Sequence, residues 1–279
     1  SYRGKLCGDL TVACFDENEF MVFGSGAAQE MHRRWFESHL DKFDVNYKNR
    51  SDEFHGISIA GPNSRKVLEK IVRDDVSNEK FKFRDSRRMF VGGVPAIINR
   101  ISFTGELGYE IYVAPHYQIK LYEELMEAGK EFNIKPFGGR ALMSMRLEKN
   151  WGAWTLDYRP DFTAKETGLD MFINWDKDFI GKEKAKSENS SNKLTPLIVE
   201  TNDIDVTSNE AVMNGDQSIG YVTSGGFAHF VNKSVAFTFI DQNKIKSENK
   251  IQIEINGDLF NCSVIKEPLY DPNGQKMRS

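Results

Sequence analysis

Apolar-rich runs at 9–15 and 19–24, split by the polar turn Asp16-Glu17-Asn18, predict two short strands. From Ala27 to Leu40 the spacing changes to that of a helix, with Met31, Trp35 and Leu40 on one side. Gly56-Ile57-Ser58-Ile59-Ala60 alternates like a strand and ends at Gly61-Pro62-Asn63-Ser64, where Asn63 or Ser64 is placed to cap the next helix. That helix carries Val67, Leu68, Ile71 and Val72 on one stripe. A hairpin is predicted from Met89-Phe90-Val91 through a Gly92-Gly93 turn to Val94–Ile101. A strand at 109–114, an amphipathic helix at 117–132 and a helix at 141–149 follow.

The pattern then breaks. Lys186-Ser187-Glu188-Asn189-Ser190-Ser191-Asn192-Lys193 is polar without an apolar period and reads as a linker. Beyond it, 197–200, 218–223, 234–240, 250–255 and 259–265 are short alternating segments parted by Asn, Gly and Asp, as in a small antiparallel sandwich or barrel. The expectation is an α+β domain over residues 1–190 and a β domain over 191–279.

Composition narrows the class of function. A formal charge of −4 and a pI near 5.8 give no basic surface to track phosphates, so nucleic acid is not an expected partner. No apolar run is long enough to predict a membrane helix. Cys7, Cys14 and Cys262 form no C-x-x-C and are odd in number, which argues against a disulfide scaffold or zinc knuckle and for a reducing compartment. The cytoplasm, or the mitochondrial matrix in a eukaryote, is the expected location. Ser-Tyr-Arg-Gly-Lys at the start shows neither an initiator Met nor a signal pattern, and reads like a chain joined part-way through a domain.

Several local motifs fail their tests. Gly24-Ser25-Gly26-Ala27-Ala28-Gln29 follows a strand and opens a helix, but a dinucleotide fingerprint needs glycine where Gln29 stands. The five histidines lack metal-ligand spacing, and no G-x-S-x-G elbow is present. Ser102-Phe103-Thr104-Gly105-Glu106-Leu107-Gly108-Tyr109-Glu110 is more suggestive, with two glycines bracketing a carboxylate at a turn before a strand. Glycines let backbone approach a ligand closely, and a carboxylate can accept two N–H bonds from a flat heterocycle. Taken alone, this turn and the isolated Asp9 also suit a solvated hairpin and a strand-end cap.

The order of the segments carries a resemblance. Gly8-Asp9-Leu10-Thr11-Val12, 56–65, 103–110, Arg146-Leu147-Glu148-Lys149, Glu166-Thr167-Gly168-Leu169, 177–182, Val222-Thr223-Ser224-Gly225-Gly226, Asn232-Lys233-Ser234 and 268–272 together resemble the glycine-cleavage T-protein (aminomethyltransferase) family. Arg140-Ala141-Leu142, Ser144–Lys149 and Trp154 lean toward the C-terminal region of sarcosine and dimethylglycine dehydrogenases, as do Gly225-Gly226 and Asn232-Lys233-Ser234. The glycine-cleavage members carry an arginine where Leu142 stands.

The resemblance implies a T-protein-like folate-binding domain followed by a small antiparallel β-barrel, its N-terminal part missing here. It implies transfer of a one-carbon unit from an oxidised N-methyl amine, of dimethylglycine or sarcosine type, to tetrahydrofolate. The product would be 5,10-methylenetetrahydrofolate. Asp9 matches the family carboxylate that orients the folate amine, and Glu106 the glutamate on the pterin ring. Trp151 falls at an aromatic beside the folate, and Tyr112 is a further candidate for cofactor binding. The expected partners are an amine donor and folate, with a flavin domain in cis; FAD is expected only in that domain, outside these residues. The alternatives are a folate-dependent methyltransferase such as the dimethylsulfoniopropionate demethylases, and a folate-binding module without catalysis.

Overall fold

The computed structural model describes residues 1–201 and 203–279. Close contacts divide the chain into two compact units. One, the sheet unit, holds residues 10–24, 29–142 and 271–279; the other, the barrel unit, holds 1–9, 25–28 and 143–270.

The sheet unit begins with a two-stranded hairpin, β1 (Thr11–Cys14) and β2 (Phe20–Phe23), with Thr11 opposite Phe23 and Cys14 opposite Phe20. The Asn18 amide donates to Asp16 Oδ1 at 2.7 Å, an Asx turn that reverses the chain. Helix α1 (Gln29–Leu40) follows. Its buried stripe is centred on His32, flanked by the half-buried Trp35, Phe36 and His39, whereas the expected Met31 is exposed. At 100° per residue a one-position shift rotates the stripe past Met31.

A four-stranded antiparallel sheet follows, in the order β3-β6-β5-β4, formed by β3 (His55–Ala60), β4 (Ser86–Val91), β5 (Val94–Asn99) and β6 (Gly108–Val113). Gly92 and Gly93 both have positive φ, 57° and 80°, which a two-residue hairpin loop requires if its twist is to match the strands. Helix α2 (Ser64–Glu69) sits between β3 and β4 in the chain, and α3 (Gln118–Ala128) follows β6. Neither Asn63 nor Ser64 caps α2 through its side chain; the buried Ser64 hydroxyl donates instead to the Leu107 carbonyl at 3.0 Å. Both helices bury their apolar stripes with one face of the sheet, joining Val67, Leu68, Leu121 and Leu125 to Ile59, Tyr109, Ile111 and Val113. Alternation then puts Gly108, Glu110 and Tyr112 on the opposite face.

Helix α4 (Gly139–Glu148) leads into the barrel unit, where α5 (Ala164–Thr167) and α6 (Lys182–Lys186) precede the strands. Thr163 and Glu166 form a reciprocal capping box at α5. Six strands close a barrel in the order β10-β7-β12-β11-β8-β9. They are β7 (Asn192–Val199), β8 (Ala211–Asn214), β9 (Gln217–Ala228), β10 (Lys233–Asp241), β11 (Ile251–Ile255) and β12 (Asp258–Val264). This is the barrel expected from the alternating segments, and the mixed helix-and-sheet class ahead of it is as expected too. Closure removes sheet edges, and Leu197, Val212, Val222 and Ile253 fill the interior. The short helix α7 (Gln275–Arg278) ends the chain, in the sheet unit. Among the described residues no helix is long and apolar enough to cross a membrane.

Candidate functional site

Strand β6 builds the most developed site. Its outward face presents Glu110 and Tyr112, and the Tyr112 hydroxyl donates to Glu110 Oε2 at 2.6 Å. Burial first, then the Glu110 charge and this bond, push the Tyr112 phenol far above its ordinary pKa, so it stays protonated and keeps donating. The ring is held by Phe23, with centroids 4.6 Å apart. Gly56, opposite Tyr112 in β3, makes room for it: a Cβ there would lie 3.0 Å from Tyr112 Cε1.

Glu110 lines a cavity of about 690 Å³ within the sheet unit. Its walls are mostly apolar, with Ile57, Ile59, Phe103, Leu125 and Phe137 among them, and Ser58, Asn63 and Thr104 add polar groups. A concave apolar space with a few convergent polar groups is the usual form of a small-molecule site. Glu110 is the one carboxylate and Lys135 the one cation in the described lining.

Glu106 lies in the turn before β6 and does not line this cavity. Gly105 there has φ 85°, and the hydroxyls of Ser102 and Thr104 accept the Gly105 and Glu106 amides at 3.0 and 3.2 Å. The half-buried Glu106 carboxylate has Lys276 Nζ 4.0 Å away. Sequence reasoning singled out Glu106 because glycines bracket it, and passed over Glu110. The signal that finds Glu110 is the two-residue period of β6, whose partner positions Tyr109, Ile111 and Val113 are all apolar and buried.

Asp9 and Trp151 belong to the barrel unit. Asp9 is exposed, yet the protein around its carboxyl desolvates it and raises its pKa above the usual carboxylate value. Its charge is felt by the buried Tyr158, whose phenol is pushed up to about 12, mainly by burial, with the Gly152 amide opposing. That amide donates to the Tyr158 oxygen at 3.1 Å. Half-buried Trp151 sits on a loop held by a buried ion pair, Arg146 Nη1 to Asp157 Oδ2 at 2.6 Å. The same guanidinium nitrogen donates to the Trp151 carbonyl at 2.9 Å. Asp157 also accepts from the hydroxyls of Thr223 and Ser224 at 2.5 and 2.7 Å, so its charge is well satisfied. Lys149 Nζ lies 5.6 Å from the Trp151 ring centroid.

The structure therefore joins Tyr112 to Glu110. It places Glu106 outside that cavity, and Asp9 beside the charge environment of Tyr158. Among the described residues no cluster of His, Cys, Asp and Glu is arranged to hold a metal ion.

Known proteins give the family. The model described as the GCVT N-terminal domain matches residues 1–177, and that of the glycine cleavage T-protein C-terminal barrel domain matches 192–271. The chain belongs to the glycine cleavage T-protein family. This T-protein relative is 34% identical over 275 residues to the mitochondrial dimethylglycine dehydrogenase of Homo sapiens, covering 96% of the chain and 32% of that enzyme. It spans about a third of the length of the dimethylglycine dehydrogenases it matches. It is 30% identical over 281 residues to the aminomethyltransferase of Thermoanaerobacter pseudethanolicus, covering 99% of the chain and 76% of that protein. The fold matches the glycine cleavage system aminomethyltransferase T from Bartonella henselae with a TM-score of 0.84 at 20% identity, over 98% of this chain and 74% of the other.

Proposed function

We propose that this T-protein relative performs the tetrahydrofolate-dependent half-reaction of a dimethylglycine- or sarcosine-type demethylating dehydrogenase, with 5,10-methylenetetrahydrofolate as product. The observation that carries the reading is Glu110, bonded by the Tyr112 hydroxyl and lining a cavity of about 690 Å³. Two carboxylate oxygens accept adjacent N–H groups of a flat heterocycle, and apolar walls cover its faces, so the residues fit a pterin. The 34% identity to dimethylglycine dehydrogenase supports the choice of donor class.

Tetrahydrofolate would supply the nucleophilic amines that take up the one-carbon unit. The chain's own residues bind and orient. Glu110 accepts from the ring, and Tyr112 fixes Glu110. In the barrel unit, the family resemblance supports Trp151 as a stacking face and Asp9 as the group that orients the reacting amine and stabilises positive charge as it develops; a carboxylate with a raised pKa is also a better proton acceptor. Glu106 is the competing ring ligand. The flavin partner, if joined in cis, would oxidise the donor, and the polar run near residue 190 is the proposed boundary between the two family domains.

The 30% identity to an aminomethyltransferase over 76% of its length supports a second reading, in which the donor is an aminomethyl group. Donor dependence separates these two readings, since both give methylenetetrahydrofolate. The chain is incubated with tetrahydrofolate and each donor, and the folate product is resolved by chromatography. Methylenetetrahydrofolate from the oxidised N-methyl amine is expected; 5-methyltetrahydrofolate would place the chain among methyltransferases instead. Glu110→Gln is expected to weaken folate binding at least about tenfold, the loss of a hydrogen-bonded charge, while Glu106→Gln leaves it within about twofold. The reverse ranking would return the ring contact to Glu106.

A further inference from the structure

We infer that Lys135 is the receptor for the anionic end of the ligand, the glutamate carboxylates of a reduced folate, so that the cavity reads its ligand by charge at Lys135 as well as by hydrogen bonding at Glu110. This rests on the reading of the cavity as the folate site.

Within the described lining, Glu110 and Lys135 are the two formal charges, of opposite sign. The rest of the wall near Lys135 brings none: Ile134, Pro136, Phe137 and Leu142 are apolar, and Arg140 lies outside the lining. A ligand that offers N–H donors to Glu110 and carries a carboxylate elsewhere has one cation to meet.

Lys135 is also uncommitted. Other lysines of the same unit are taken up by neighbouring carboxylates: Lys70 by Glu131, Lys120 by Glu124 and Lys130 by Glu127. Lys135 makes no ion pair or hydrogen bond among the described residues, and it is exposed at the cavity rim. An ammonium on a long stem there can reach a carboxylate without first breaking an internal pair.

Its backbone is nevertheless anchored. Asn133 ends the preceding turn in the left-handed conformation, φ 56°, and Ile134 donates its amide to the Gly129 carbonyl at 3.1 Å. The Ile134 side chain packs where Gly129 has none, since a Cβ there would lie 2.5 Å from Ile134 Cγ2. Pro136 restricts Lys135 itself to extended conformations. An exposed stem thus rises from a backbone that is held in place.

The test compares two ligands on the full chain: tetrahydrofolate, and tetrahydropteroate, which has the same ring and aminobenzoate but no glutamate. Dissociation constants are measured by titration calorimetry at low and high salt. For tetrahydrofolate, Lys135→Ala is expected to weaken binding about threefold at low salt, as for an exposed ion pair, and Lys135→Glu about tenfold through added repulsion. Lys135→Arg should retain wild-type affinity, and tetrahydropteroate should bind all four proteins equally. Equal losses on both ligands, or no loss on either, would overturn the role of Lys135. Failure of the underlying reading shows separately: Glu110→Gln would then leave both ligands' affinities unchanged. Loss of both ligands in Glu110→Gln with lysine variants that still discriminate like wild type would remove Lys135 alone.

Discussion

The Tyr112 hydroxyl donates to Glu110 Oε2 at 2.6 Å, from two residues further along the same strand. Same-face neighbours on a strand stand side by side, so the bond comes directly from the period of β6. Removing the hydroxyl in Tyr112→Phe leaves the ring packed on Phe23 but frees the carboxylate to rotate. Folate affinity is expected to fall about three- to tenfold, the net worth of one ordinary hydrogen bond, with little change in Tm. Binding titration and thermal unfolding of the same variant check both halves; a fall in Tm without a fall in affinity would make the pair purely structural.

The role proposed for Asp9 predicts a pH dependence. Its pKa is raised by desolvation, so the ionised form that this role requires is lost as pH falls through that raised value. The acid limb of kcat/KM is expected above the usual carboxylate range. Asp9→Asn should abolish the limb and cut transfer by about a hundredfold or more, the usual size of acid–base assistance.

The same shift has the opposite sign for stability. A carboxyl with a raised folded-state pKa binds protons more readily folded than unfolded, so stability is highest below the unfolded value. It declines as pH rises to the folded value. At neutral pH, Asp9→Asn is therefore expected to unfold at slightly higher temperature than wild type. A lower Tm at pH 7 would show that the carboxylate is paired in the fold.

The Arg146–Asp157 pair is fully buried, and breaking one partner leaves the other charge stranded. Arg146→Met should destabilise by about 3–5 kcal/mol in urea unfolding. The Trp151 carbonyl loses its guanidinium donor at the same time, so quenching of tryptophan fluorescence should change in the native baseline.

Gly152 is required by Tyr158. A Cβ at 152 would lie 2.4 Å from Tyr158 Cζ, closer than atoms pack. Gly152→Ala is expected to cost about 1–3 kcal/mol, as overpacking does. Tyr158→Ala in the same chain should make the added methyl harmless, so the two substitutions will be non-additive.

The periodicities of this chain were enough to place most of its elements. The Gly92-Gly93 turn, the stripe of α2 and the alternation of β6 are local, and local sterics decide them. Strand β8, only four residues long and joined to β9 by a tight turn, was not legible, because its pairing with β11 depends on barrel closure. Met31 lies on the apolar stripe expected for α1 yet is exposed, because apolarity alone does not fix the phase of a stripe.

By itself the sequence determined the class of fold, the family and the small set of residues from which a site could be built. Ordered motifs survive in the linear chain, and backbone preferences act over a few residues. Only the tertiary structure decided which acidic residue of the 103–110 segment lines the cavity. In that segment Glu106 is carried in a turn pinned by Ser102 and Thr104, while Glu110 stands on the pleat beside Tyr112. Side-chain direction at a turn depends on the surrounding hydrogen bonds and on the φ of Gly105, and no spacing rule along the chain encodes it.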